Sequence, residues 1–263
     1  MRQWETLFSC PSPPVDTVRT VSDAKRDFYH HHKRPVNSIY RRVIEELMVE
    51  MHLLSVNTLF RYDAIYALGV VTAFDRFMAG YDPESDLESI FQAICAATGA
   101  NRDQYRQDAQ ALRNIAAQLQ PEQLATWESA LVSVPEAQPL YEILKAIAFN
   151  ETFKYSRLFA IGLYSLLEQA AGEAPVDADK AQATLQDMGQ TLHLPVEKLK
   201  KDLELYQSNL EKLDQAREVL ADALEASRKQ RQQKEQPDAD NGDAAATAEP
   251  DSESEPSDAP ANS

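Results

Sequence analysis

Apolar positions recur along this chain at spacings of three and four, and no long stretch alternates with period two, so the pattern predicts an all-α, multi-helix bundle. Ser22 is placed to cap a short helix that runs through His32 and ends at Pro35. A second helix is expected from about Val36 to Leu59, with Ile39, Val43, Leu47, Met51 and Leu54 on one face. Arg41/Glu45 and Arg42/Glu46 form i,i+4 pairs on its other side. Tyr62–Met78 is apolar nearly all round, as a central bundle helix is. Gly80 and Asp82-Pro83 stop it. Further helices are predicted from Pro83 to Thr98, ending at Gly99, and from a cap at Asn101 to Leu119. Pro121 opens another to about Ser133, and Pro139 opens the next. Thr152–Ala171 is a second strongly apolar helix, Gly172–Pro175 a loop, and Ala178–Leu194 a helix broken by Pro195.

Val196–Glu235 differs from the rest. Leu199, Leu203, Tyr206 and Leu210, then Leu213, Leu220 and Leu224, alternate steps of four and three, skipping Arg217. That is a coiled-coil-like heptad seam with charged flanks. Two readings follow: a helix offering the seam to a partner, or an amphipathic helix folded back on its own bundle. The expected organisation is an extended leader over 1–19, a helical bundle over 20–194, a long heptad helix over 195–235 and a tail over 236–263. The tail is rich in Pro, Asp, Ala, Glu and Ser, and such a composition predicts disorder.

Charge sharpens this picture. The net charge is -16, which disfavours general nucleic-acid binding. The tail holds eight acids and no Lys or Arg, while Arg19–Arg42 holds seven basic residues against two Asp. Lys25, Arg26, Lys33, Arg34, Arg41 and Arg42 are therefore candidate contacts for an anionic lipid surface or an acidic partner, against the plainer reading of ordinary charged helix faces. Glycine is scarce at 7 residues, which argues against phosphate-cradling loops. Cys10 and Cys95 suggest no disulfide framework and fit a reducing compartment. The N-terminus lacks a signal pattern, and the most apolar run, Leu158–Leu167, is too short for a membrane span.

The candidate chemistry is thin. Consecutive residues on a helix point about 100° apart, so His30, His31 and His32 do not converge on one ion. They read as solvated histidines beside a basic patch, with a metal-dependent bundle enzyme as the rival. His52 lacks the Glu-x-x-His spacing of a di-iron bundle and falls roughly opposite the Ile39/Leu47 stripe. Cys95 sits in an apolar helical pattern, and His193 stands near a helix end. No G-x-S-x-G or P-loop occurs. No catalytic, cofactor-binding or metal-ligating residue is assigned.

Three blocks together carry a resemblance: VSDAKRDFYHHHKRPVNSIYRRVIEELMVEMHLLSVN, FRYDAIYALGVVTAFDRFMAGY and FKYSRLFAIGLYSLLE. The chain resembles the thylakoid-formation proteins, also described as photosystem II biogenesis factors, of cyanobacteria and plastids, over about Thr17 to Leu224. The resemblance implies a non-enzymatic auxiliary factor in thylakoid biogenesis and photosystem II assembly or repair. It implies association with membrane FtsH proteases, and with photosystem II assembly intermediates as further partners. No transit peptide is evident, which with this resemblance suggests a cyanobacterial protein, peripheral on the cytoplasmic side of the thylakoid. The family has no catalytic residues to carry over.

Overall fold

A computed structural model of the chain describes residues 19–126, 134–172 and 178–235, and every regular element among them is helical. The helices are α1 (Val21–His31), α2 (Ser38–Ser55), α3 (Ala64–Phe77), α4 (Leu87–Thr98), α5 (Arg102–Ala116) and α6 (Pro121–Ala125). They continue as α7 (Gln138–Ala148), α8 (Arg157–Ala171), α9 (Ala178–Thr191) and α10 (Val196–Glu235), with 3-10 turns at Glu84–Asp86 and Pro135–Ala137. The expected leader, the end of the Pro121 helix, the loop after Gly172 and the acidic tail lie outside the described residues, as does Cys10.

The boundaries follow from caps. Thr20, not Ser22, starts α1: its hydroxyl accepts the Asp23 N–H at 3.2 Å, and the Asp23 carboxylate accepts the Thr20 N–H at 3.0 Å. Asn37, Asp63 and Ser156 each accept a first-turn N–H, which starts α2, α3 and α8 later than periodicity alone suggests, while Asn101 caps α5 as expected. Gly99, at φ +75°, closes α4 in the left-handed region, as its position after the apolar run predicts.

The centre is the pair α3 and α8. Every residue from Ile65 to Phe74 is buried. A Cβ built on Gly69 would lie 1.7 Å from the Leu158 carbonyl oxygen, and one on Gly162 would lie 2.0 Å from the Ile65 oxygen. Only hydrogen at both positions lets the two backbones come this close. At the same crossing Thr72 donates to Ser165 at 3.2 Å and accepts from Arg113 at 3.3 Å, so the buried hydroxyls are satisfied.

The chain divides into two units, residues 1–217 and 218–263. The first therefore runs past the expected bundle end at 194 and takes in the start of α10. Leu199, Leu203, Tyr206 and Leu213 are buried, and Leu210 packs partly buried against the core. For this stretch the fold-back reading is the one the structure takes, because the seam completes the bundle's own apolar core. Arg217 ends the unit: it donates to the Tyr40 hydroxyl at 3.2 Å and to the Phe77 carbonyl at 2.8 Å. In the second unit α10 continues to Glu235, with Leu220 and Leu224 exposed and a Lys229–Glu225 pair at 2.7 Å.

Candidate functional site: an open cleft beside α2 and α10

α2 buries Tyr40, Ile44, Met48 and His52, a row at steps of four, together with Leu47, Met51 and Leu54. His52 is thus a core residue, not one opposite the apolar stripe, while Ile39 and Val43 are only partly buried. The neighbouring row, Arg41, Glu45, Val49 and Leu53, with Asn57 just past the end of α2, forms one wall of an open cleft of about 1270 Å³. The segment Lys154–Arg157 forms its end, and Lys198, Asp202, Leu205 and Asn209 of α10 form the other wall. A narrower recess of about 450 Å³, lined by apolar side chains including Ile39, Val43, Phe77 and Ile161, shares Arg42, Glu46, Glu50, Arg157 and Asn209 with it.

The carboxylates of the cleft are engaged. Glu45 takes Lys25 of α1 at 2.6 Å rather than Arg41, Glu46 takes Arg42 at 2.8 Å as the spacing predicts, and Glu50 takes Arg157 at 2.6 Å. Asp202 accepts the Tyr155 hydroxyl at 2.9 Å. Burial, followed by that hydrogen bond to Asp202, pushes the Tyr155 phenol well above its usual range, so it stays a donor. The ammonium of Lys198 lies 5.0 Å from the Tyr155 ring centroid. Arg41, Lys154, Lys198 and, in the recess, Lys212 form no ion pair with a carboxylate among the described residues, and Arg41 donates to the Val36 carbonyl at 3.4 Å. Two large apolar side chains are left open to solvent in the cleft: Leu53 at 56% and Leu205 at 45%.

The structure brings Lys25, Arg41 and Arg42 of the basic segment to this cleft and leaves the other three outside it. Arg26 pairs with Asp23 at 2.7 Å, Arg34 pairs with the buried carboxylate of Asp86, and Lys33 is exposed. The segment is therefore largely ion-paired rather than one free anion-binding face. The seam leucines of the first unit are equally unavailable, since Leu199, Leu203, Tyr206 and Leu213 are core residues. Lys154, Lys198, Leu53 and Leu205 do not read as a site in the sequence because they come from three separated segments. The one sequence signal was a leucine standing beside each apolar stripe rather than in it.

The histidines split up. His31 bonds the Asp27 carbonyl at 2.8 Å, and His30 and His31 are exposed. His32 is not solvated: it is 2% exposed, its Nδ1 lies 3.1 Å from the Ser89 hydroxyl, and its Nε2 has no partner among the described residues. Burial lowers its pKa, against the pull of Asp86 upward and with the push of Arg34 downward. His193, at φ +54°, bonds the carbonyl of Ala148, the last residue of α7, at 3.2 Å. Burial raises the Cys95 thiol to about 12, so it is no thiolate nucleophile. Among the described residues no group of three or more His, Cys, Asp or Glu is arranged to hold a metal, and no helix is long and apolar enough to cross a membrane.

Comparison with known proteins gives the remaining context. The profile of the thylakoid formation protein family matches residues 20–235. Protein Thf1 of a Cyanothece species is 53% identical over 236 residues, 90% of this chain and 100% of that protein. Protein Thf1 of Trichormus variabilis is 54% identical over 222 residues, 84% of this chain and 95% of that protein. A solved structure of Psb29 superposes with a TM-score of 0.69 at 46% identity, covering 81% of this chain and 98% of that one. The all-α fold, the matched blocks and these relatives agree, and the chain belongs to the thylakoid formation protein family.

Proposed function

We propose that this protein is a non-enzymatic auxiliary factor in thylakoid membrane biogenesis and in photosystem II assembly or repair, acting by binding and supporting membrane FtsH protease complexes. Family membership supports the first part. The observation that carries the second is the cleft: Leu53 and Leu205 are exposed beside cations that form no ion pair among the described residues. Exposed apolar side chains rimmed by charge mark an interaction site. The protein attaches to the membrane peripherally, on the cytoplasmic side, through its partner and with weak help from basic residues at the anionic lipid surface. A binder of this kind raises the abundance of its partner by mass action, because the bound complex is withdrawn from dissociation and turnover.

The test is FtsH abundance in thylakoids of a strain lacking the protein. Loss of FtsH, restored by the wild-type chain, is expected. Unchanged abundance and unchanged FtsH lifetime would contradict the proposal.

A further inference from the structure

The partner's chemistry can be read from what the cleft leaves unsatisfied, and this step rests on the binding role just proposed. Each carboxylate lining it already has a donor: Glu45 has Lys25, Glu46 has Arg42, Glu50 has Arg157 and Asp202 has Tyr155. Among the described residues Arg41, Lys154, Lys198 and Lys212 form no ion pair with a carboxylate, and Arg41 gives one N–H to the Val36 carbonyl at 3.4 Å. On a chain of net charge -16, the open valences of this one cleft are positive. We infer that the cleft docks an acidic amphipathic helix of a partner protein, with its carboxylates on those cations and its aliphatic side chains on Leu53 and Leu205.

Dimensions favour a helix. The wall from Ser38 to Leu54 runs along α2, and the wall from Lys198 to Asn209 runs along α10. At about 1.5 Å per residue these are about 24 Å and about 17 Å long, enough for roughly three to four helical turns. The volume of about 1270 Å³ is above the range of about 300–1,000 Å³ usual for small molecules. A groove between helices with exposed leucines on both walls matches the helix-in-groove mode of recognition. A bilayer fits less well: it offers negative charge alone, in a plane, whereas Glu46 and Glu50 stand among the cations of a concave surface. A helix can put carboxylates only where the cations are.

The probe is a fluorescent peptide of about 16 residues with Leu at helical i, i+3, i+4, i+7 spacing and Glu elsewhere. Its binding to the full chain is measured by anisotropy, beside a scrambled peptide and a version with Lys for Glu. The Leu/Glu peptide should bind and weaken with salt. Affinity should fall about tenfold or more in K154E/K198E and in L205E, all exposed positions, with melting temperatures unchanged. Absence of binding, equal binding of scrambled or Lys peptide, or equal affinity of the variants would overturn the inference. Phosphatidylglycerol vesicles that bind wild type but not K154E/K198E, with no peptide binding, would overturn it in favour of lipid. Capture of FtsH from solubilised thylakoids separates this from the broader proposal. Capture by wild type and loss in K154E/K198E supports both, and equal capture by both overturns the cleft alone. Peptide binding without FtsH capture by wild type upholds the cleft and overturns the FtsH assignment.

Discussion

Gly69 of α3 and Gly162 of α8 face each other so closely that a Cβ on Gly69 would sit 2.9 Å from the Gly162 amide nitrogen and 1.7 Å from the Leu158 oxygen. The obstacle is backbone, which cannot move aside as a side-chain tip can. Gly69→Ala should therefore cost about 3 kcal/mol or more, the upper end for overpacking. Gly99→Ala, which meets nothing within 4 Å and suffers only its left-handed φ, should cost about 1 kcal/mol. Urea unfolding of the two variants checks the order. Equal losses would mean that α3 and α8 separate readily.

Leu203 and Leu205 lie two residues apart on α10 and answer to different constraints. Leu203 is 6% exposed and Leu205 is 45% exposed. Leu203→Glu buries an unpaired carboxylate and should cost several kcal/mol or prevent folding. Leu205→Glu should leave stability within about 0.5 kcal/mol. Thermal unfolding of both distinguishes the folded-back helix from a helix free of the bundle, in which the two would match.

Arg217 occupies the place in the heptad seam where an apolar residue is expected, and its guanidinium reaches the Tyr40 hydroxyl and the Phe77 carbonyl. Arg217→Met keeps much of the stem and removes the hydrogen bonds, at a cost of about 1–2 kcal/mol given its partial exposure. Amide hydrogen exchange over residues 206–217 should quicken. Unchanged exchange would show that packing at Tyr206 and Leu213 alone fixes this end.

The Asp63 carboxyl, cap of α3, is pushed up to about 6 by burial, against hydrogen bonds from the Tyr66 and Ile65 amides that lower it. Between its ordinary 3.8 and about 6 the folded chain holds a proton that the unfolded chain has released. This residue's contribution to stability therefore falls as pH rises through that window and is level above it. Asp63→Asn keeps a cap without the titration. Its stability relative to wild type should improve from pH of about 4 to about 7. A constant offset across that range would contradict the shift.

Much of this architecture is legible in the sequence, because long apolar helices announce themselves by composition. Tyr62–Met78 and Thr152–Ala171 are apolar all round, and they become the central pair α3 and α8. The glycines that bring them together are not legible, since each is an ordinary residue until the other helix is in place. The heptad seam is visible as a pattern, but a pattern does not say whose core it fills, and Leu199 to Leu213 fill the bundle's own. The Ile39/Leu47 stripe puts His52 on the far face, but a row at steps of four, from Tyr40 through Ile44 and Met48, drifts around α2 and carries it inward. The cleft was hidden for a related reason: Lys154, Lys198, Leu53 and Leu205 meet only in three dimensions.

The central claim is that the cleft is where the partner docks. The most direct measurement places a photoreactive benzoyl-phenylalanine at Leu205 in living cells and, as a control, at Tyr29, which is exposed on α1 outside the cleft. Illumination should link the protein to an FtsH subunit from position 205 and not from position 29. FtsH adducts from position 29 and none from position 205 would contradict the account.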